Sequence, residues 1–227
     1  MNSSLLKASD ILHTLGDHLK ANRLLLLTAD VCGTPTLQKV EIDRFSTALS
    51  LRYKSSSDPT HETGSSCPPF DSIVSSLQNF NPFDLVFADP YHSYEDSKRL
   101  LNLAISSTLP KGWVVIHDCY PPIELTDEKY LGGSGWSGVT FAAFRDVALK
   151  TNRAWFVIDA DLGVGILGPA NTSHMILDSL DQTIENAWEI AGLDEKRELY
   201  RNNGKALMRV IDENFFYEIL IKLLNSN

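Results

Sequence analysis

The sequence is poor in cysteine. Cys32, Cys67 and Cys119 are its only three in a chain of 227 residues, and no two stand in a Cys-x-x-Cys pair. A zinc ribbon, a thioredoxin-type redox motif and a disulfide scaffold are thereby excluded. Free thiols fit a reducing compartment, so a cytoplasmic protein is expected. Long apolar runs are missing too. The run 24–27 (LLLL) spans four residues, against the roughly 20 that a membrane helix needs. The polar stretch 1–10 does not read as a signal peptide. No membrane partner is therefore expected. Basic charge is also short, with Lys+Arg 20 against Asp+Glu 29 and a net charge of −9. A broad nucleic-acid footprint needs a basic face, so no nucleic-acid partner is expected. A small anionic ligand stays open, because one loop can bind it on an acidic protein.

What is present is ordinary for a folded domain: 43% hydrophobic and 22% charged residues. The length suits one large domain, or one with an appendage, and suffices for a buried core. There is no internal repeat and no low-complexity segment. Residues 4–20 carry a helical stripe from Leu5 to Leu19. Residues 23–29 (RLLLLTA) read as a buried strand, and 45–53 (FSTALSLRY) as a second. The breaker-rich stretch 54–69 reads as a long surface loop holding His61 and Cys67, and 70–77 as a short helix. Residues 83–88 (FDLVFA) form a third strand, 93–107 a helix ended by Pro110-Lys111-Gly112, and 113–116 (WVVI) a fourth strand. Strand, helix and strand at this spacing make a βαβ unit with a right-handed crossover. A second long loop, 120–138, contains the run Gly132-Gly133-Ser134-Gly135, which reads as a lid or as an anion cradle. A helix follows over 139–149. Two short strands, 154–158 and 164–167, joined by Asp159-Ala160-Asp161-Leu162-Gly163, read as an antiparallel hairpin, with both acids as turn residues. Residues 173–191 and 194–224 read as helical, with a break at 202–204.

Alternating strands and helices predict an α/β fold: a mostly parallel Rossmann-like sheet, helices on both faces, and a terminal antiparallel hairpin. The expected division is an N-terminal helix (1–22), a Rossmann-like domain (23–168) and a C-terminal helical extension (169–227). The tail stripe Phe215, Phe216, Ile219, Leu220 and Leu223 reads as core or as a homodimer contact.

Ligands of such sheets lie beyond the C-terminal ends of parallel strands. Those ends carry Thr28 to Thr34, then Asp89-Pro90-Tyr91-His92, then His117-Asp118-Cys119. Asp89, His92, His117 and Asp118 should converge there. Two carboxylates and two imidazoles can hold a divalent cation, or supply a general base near neutrality. The alternative for Asp89 is a helix N-cap, shared with Ser93. The alternative for His117 and Asp118 is a hydrogen-bonded pair closing a strand. Glu95 and Asp96 read as first-turn acids. Trp136 either stacks on a ligand or pins its loop to the core.

The stretch FDLVFADPYHSYEDSKRLLNLAISSTLPKGWVVIHDC, residues 83–119, resembles the second half of a class I S-adenosylmethionine-dependent methyltransferase. Residues 135–167, GWSGVTFAAFRDVALKTNRAWFVIDADLGVGIL, continue the likeness with the Trp-x-Gly helix and the last hairpin, and 33–40 (GTPTLQKV) resembles the start of the first helix. The resemblance covers roughly residues 20–168. It implies a seven-stranded sheet and methyl transfer from S-adenosylmethionine to a hydroxyl of a small-molecule substrate. For metal-dependent members it implies Asp89, His117 and Asp118 as metal ligands and His92 as the base. Asp89 and His117 then join His92 as the reacting residues. The cofactor loop falls on Thr28, Asp30 and Gly33, where the family has an acid and two glycines. The acid the family has after the second strand is missing from Leu51-Arg52-Tyr53-Lys54, which leaves Asp30 or Asp58 as its substitute. That loss leaves two other readings: a methyltransferase-like fold that has lost the cofactor and runs acid/base or metal-assisted chemistry (hydrolysis, elimination or cyclisation), or a non-catalytic partner subunit.

Overall fold

The structure is a computed structural model that describes residues 6–29, 40–55, 67–129, 136–173 and 181–224. Helix α1, Ala8–Leu19, buries Ile11, Leu12 and Leu15, and its first turn is closed by the Asp10 carboxylate accepting the Lys7 N–H at 2.9 Å. Strand β1, Arg23–Ala29, is buried on both faces, as a run of four leucines dictates. Strand β2, Thr47–Tyr53, is more exposed and forms one edge of the sheet. Helix α2, Phe70–Leu77, follows, then β3, Phe83–Asp89, and α3, Tyr94–Ser106. Ser93 caps α3, its hydroxyl facing the Asp96 N–H, and that hydroxyl also donates to the Asp96 carboxylate. The capping role open to Asp89 thus falls to Ser93.

Strand β4, Thr108–Ile116, begins earlier than the sequence reading of 113–116. Thr108 pairs with Phe83, a register shift follows, and regular pairing resumes at Trp113 opposite Leu85. Pro110 and Gly112 lie within that irregular stretch, so the breakers mark a bulge and not the strand's start. Helix α4, Thr140–Ala148, leads to β5, Arg153–Ile158, and β6, Val164–Ala170. These two pair antiparallel, as the short turn between them predicted.

The tail departs from its all-helical reading. It holds α5, Gln182–Ile190, α6, Leu193–Leu207, β7, Val210–Ile211, and α7, Glu213–Leu224. The break expected at 202–204 is present as a kink at Asn203, whose φ of −134° separates two helical stretches within α6. Strand β7 pairs parallel to β5 through Val157 and Val210. Only that tertiary pairing makes a strand of two residues.

The seven strands run in the order β2-β1-β3-β4-β6-β5-β7. Strands β2, β1, β3 and β4 are mutually parallel, and β6 is antiparallel to both of its neighbours. One sheet face packs Leu25, Leu27, Val86 and Val114 beneath α2 to α6. The other packs Leu24, Leu26, Phe87 and Val115 beneath α1 and α7. Phe216, Ile219, Leu220 and Leu223 belong to that second core, while Phe215 is exposed. Among the described residues no helix is long and apolar enough to cross a membrane.

Candidate functional site

The period-two alternation of the strands sets the site. Leu24 and Leu26, Leu85 and Phe87, and Trp113 and Val115 all face α1 and α7. Continuing each strand on that face puts Thr28, Asp89 and His117 side by side at the C-terminal rim. Thr28 is in register with Asp89, and the His117 N–H donates to the Ala88 carbonyl at 3.0 Å. The next residue, Asp118, has a left-handed φ of +62°. That turn directs its carboxylate back over the rim.

The four rim residues picked out from the sequence do meet. Asp118 Oδ2 lies 2.9 Å from His92 Nε2 and 3.2 Å from His117 Nδ1. Asp89 Oδ1 lies 3.7 Å from His117 Nδ1 and 3.9 Å from His92 Nε2. Ser137 donates its hydroxyl to Asp118 Oδ1 at 2.9 Å. All four residues are largely buried, and Asp89 is only 2% exposed.

His92 is held from behind. Its carbonyl accepts the Val139 N–H at 2.9 Å, and its ring packs 5.2 Å from that of Trp136. Gly138, with φ +51°, lies so close that a Cβ there would sit 2.1 Å from the His92 carbonyl oxygen. Trp136 also packs on Tyr91 and donates its indole N–H to the Asp127 carbonyl at 2.6 Å. It pins the loop to the core.

Asp161 is the functional neighbour that the sequence reading missed. It does stand in the β5–β6 turn, where Asp161, Leu162 and Gly163 all have positive φ. Its carboxylate nevertheless reaches His117 Nε2 at 3.6 Å, accepts the Ala8 N–H at 3.1 Å and pairs with Lys7 Nζ at 3.2 Å. The turn is docked on the rim by the Cys119 and Tyr120 N–H groups, which donate to the Gly163 and Leu162 carbonyls.

Electrostatics follow from these contacts. Burial would depress the His92 pKa, but the Asp118 and Asp89 carboxylates outweigh it and push it up to about 9. Burial likewise opposes the charge on His117, and the Asp118 and Asp161 carboxylates raise its pKa well above the usual value. Asp89 and Asp118 are buried, which alone would raise them, yet the two imidazoles hold both below the ordinary carboxylate range. The nearby His117 imidazole does the same for Asp161. With both imidazoles protonated, the carboxylates of Asp89, Asp118 and Asp161 face the cations of His92, His117 and Lys7. The cluster is self-neutralising.

Some buried polar atoms here have no hydrogen-bond partner among the described residues: Thr28 Oγ1, Asp89 Oδ2, His92 Nδ1 and His117 Nε2. One ligand atom each from Asp89, His92 and Asp118 lies within 4.8 Å of the others, the spacing of a cation site. His117 stands outside that group. Beside the cluster opens a cleft of about 800 Å³ between the β5–β6 turn and α6, with Asp161 on its wall and Tyr120 and Tyr200 among its lining residues.

Of the residues expected to form a cofactor loop, Thr28 is described. Asp30 and Gly33, and the run 132–135, lie outside the described residues. At the end of β2, Tyr53 is buried and its hydroxyl accepts the Tyr91 N–H at 3.2 Å. Among the described residues 47–55 there is no carboxylate.

No family model and no curated protein matches the sequence. Solved structures do. The chain is similar to the O-methyltransferase TomG from Streptomyces achromogenes, involved in tomaymycin synthesis and in complex with SAM. Identity is 16% and the TM-score 0.49, over 71% of this chain and 79% of that one. It is similar to the SAH-bound methyltransferase PaMTH1 of Podospora anserina, at 10% identity and TM-score 0.46, over 70% of this chain and 76% of that one. It is also similar to MycE methyltransferase from the mycinamycin biosynthetic pathway, in complex with Mg, SAH and mycinamycin VI. There identity is 14% and the TM-score 0.41, over 78% of this chain and 58% of that one. Function has to be argued from the site, because one fold hosts many chemistries.

Proposed function

We propose that the chain transfers a methyl group from S-adenosylmethionine to a hydroxyl of a small molecule, with a divalent cation held at the β3–β4 rim. The observation that carries this reading is the buried donor set Asp89, His92 and Asp118, in which Asp89 Oδ2 has no hydrogen-bond partner among the described residues. An unpaired carboxylate oxygen is costly to bury, and a cation relieves that cost. A divalent ion there would lower the pKa of a hydroxyl bound to it.

The chain's own residues prepare the place. Ser137 and the two histidines fix the Asp118 carboxylate. Asp161 holds His117 from the far side and ties the site to the start of α1. The Thr28 hydroxyl, in register with Asp89, is the described polar group placed to meet a cofactor beyond β1. Asp30 and Gly33 complete that loop in this reading. The cleft bordered by Asp161 is large enough for a small molecule, although Asp89, His92, His117 and Asp118 do not line it. His92 acts within the cluster as base or as ligand.

The test is incubation with methyl-labelled S-adenosylmethionine, a panel of phenols, catechols and aliphatic alcohols, and Mn²⁺ or Mg²⁺. Labelled product is expected from the wild type, falling by more than about tenfold in Asp89→Asn. Folded protein that labels no acceptor under any condition counts against the reading.

A specific observation favours a second reading. Among the described residues the end of β2 offers Arg52, Tyr53 and Lys54 and no carboxylate to hold ribose hydroxyls. A fold without the cofactor would use the same cluster for metal-assisted or acid/base hydrolysis, elimination or cyclisation. It would bind a divalent ion and ignore S-adenosylhomocysteine.

A further inference from the structure

We infer that the rim cluster selects a first-row transition dication such as Mn²⁺ over Mg²⁺, because His92 is one of its ligands. This rests on the reading above that the cluster holds a divalent cation. It names the class of ion and gives His92 the part of a ligand instead of a free base.

The donor set is one nitrogen and two carboxylates. His92 Nε2 and an oxygen from each of Asp89 and Asp118 lie within 4.8 Å of one another. A single ion about 2.0–2.2 Å from each donor allows donors up to about 4.4 Å apart, and Nε2 lies 2.9 Å from Asp118 and 3.9 Å from Asp89. Mg²⁺ demands near-octahedral oxygen ligands and gives up water reluctantly. Imidazole nitrogen favours the transition ions.

The orientation of His92 supports the assignment. A ligand nitrogen has to point between the carboxylates, and the other ring nitrogen, Nδ1, has no hydrogen-bond partner among the described residues. Here Nε2 points between them, 2.9 Å from Asp118 and 3.9 Å from Asp89. The ring has little room to turn elsewhere. Trp136 flanks it, and Gly138 and Val139 press on its backbone carbonyl.

The second imidazole also faces the carboxylates, with Nδ1 3.2 Å from Asp118 and 3.7 Å from Asp89, but it stands outside the three-residue group. His117 Nε2 faces Asp161, whose carboxylate is itself anchored by Lys7 and the Ala8 N–H. His117 is thereby committed to holding Asp118 in place. The unpartnered Asp89 Oδ2, on a residue 2% exposed, is the atom awaiting the ion.

The test uses full-length protein stripped with a chelator, then titrated separately with MnCl₂ and MgCl₂ by calorimetry, with no S-adenosylmethionine or acceptor present. Mn²⁺ is expected to bind at least about 100-fold more tightly than Mg²⁺. Electron spin-echo spectra of the Mn²⁺ protein should show nitrogen modulation from a coordinated imidazole. His92→Gln should abolish it and His117→Gln should keep it. His92→Asp, which makes the set all oxygen, should bring the preference down to about tenfold or less. If His92→Asp does not fold, the wild-type ratio and the His92→Gln spectrum still decide. The inference is overturned by Mn²⁺ and Mg²⁺ affinities within about tenfold in the wild type. It is equally overturned if neither ion binds, if the wild type shows no nitrogen modulation, or if His92→Gln retains it. Because no cofactor is present, absent methyl transfer leaves a positive result standing. A transferase loaded equally well by Mg²⁺ would overturn this inference and leave the proposed function intact.

Discussion

Raising the pH from 6.5 to 9.5 should destabilise the metal-free protein, and His92 sets the scale. Its folded pKa is about 9, held there by Asp118 and Asp89 against the opposing effect of burial. In the unfolded chain an imidazole titrates near 6.5. The folded state therefore keeps a proton that the unfolded state releases across this window, so stability falls as pH rises. The contribution is fully present below about 6.5 and is lost as pH passes about 9, amounting to about 3 kcal/mol. For a chain of this size each kcal/mol moves Tm by about 2–4 °C, so a fall of roughly 6–12 °C is expected. His117, also raised, acts with the same sign and adds to the fall. The assay is thermal unfolding followed by circular dichroism in chelator-containing buffers, for the wild type and His92→Asn. The variant should show a shallower decline. A flat or rising wild-type profile over this range, or an equal slope in the variant, would refute the reasoning.

Below about pH 4 the sign reverses. Asp89, Asp118 and Asp161 are all depressed by their partners, so the stability they supply above the ordinary carboxylate range is lost as pH falls through it; urea midpoints should drop steeply there and less so in Asp161→Asn. Gly138→Ala places a side chain at φ +51° and a Cβ 2.1 Å from the His92 carbonyl oxygen, so a loss of at least about 2 kcal/mol in urea unfolding is expected. Asp146 accepts from Tyr94 at 2.6 Å, from the Trp188 indole at 2.7 Å and from Lys196, tying α3, α4, α5 and α6 together. Asp146→Ala strands the Lys196 ammonium and should cost about 3 kcal/mol or more in the same assay. Arg153 donates to the Gly112 and Gly168 carbonyls at 2.8 and 2.7 Å and to Leu109 at 3.2 Å. Arg153→Met leaves buried carbonyls without donors and should lower the urea midpoint by the equivalent of about 3 kcal/mol.

Much of the fold is legible in the sequence where burial writes an uninterrupted pattern. The leucine run of β1 and the FDLVFA run of β3 are buried on both faces, and such strands announce themselves. The start of β4 is not legible, because Pro110 and Gly112 look like a stop but occupy a register shift against β3. Strand β7 is less legible still. Val210 and Ile211 carry no strand signal of their own and are ordered by pairing with Val157 and Ile158. At the site, Asp89, His117 and Asp118 can be found because each ends or follows a parallel strand. Asp161 cannot, because its reach to His117 comes from three consecutive positive-φ residues and from the turn's hydrogen bonds to Cys119 and Tyr120. The sequence also leaves open the orientation of His92, whose Nε2 faces Asp118 and Asp89.

The most direct test of the central claim is calorimetric titration of the purified protein with S-adenosylhomocysteine, with and without Mn²⁺. We expect saturable binding in the micromolar range, about −8 kcal/mol, retained in His92→Gln and weakened when Thr28 is replaced by Val. Absence of any heat of binding up to millimolar concentration, from protein that still binds Mn²⁺, would contradict methyl transfer and leave the rim cluster to cofactor-independent chemistry.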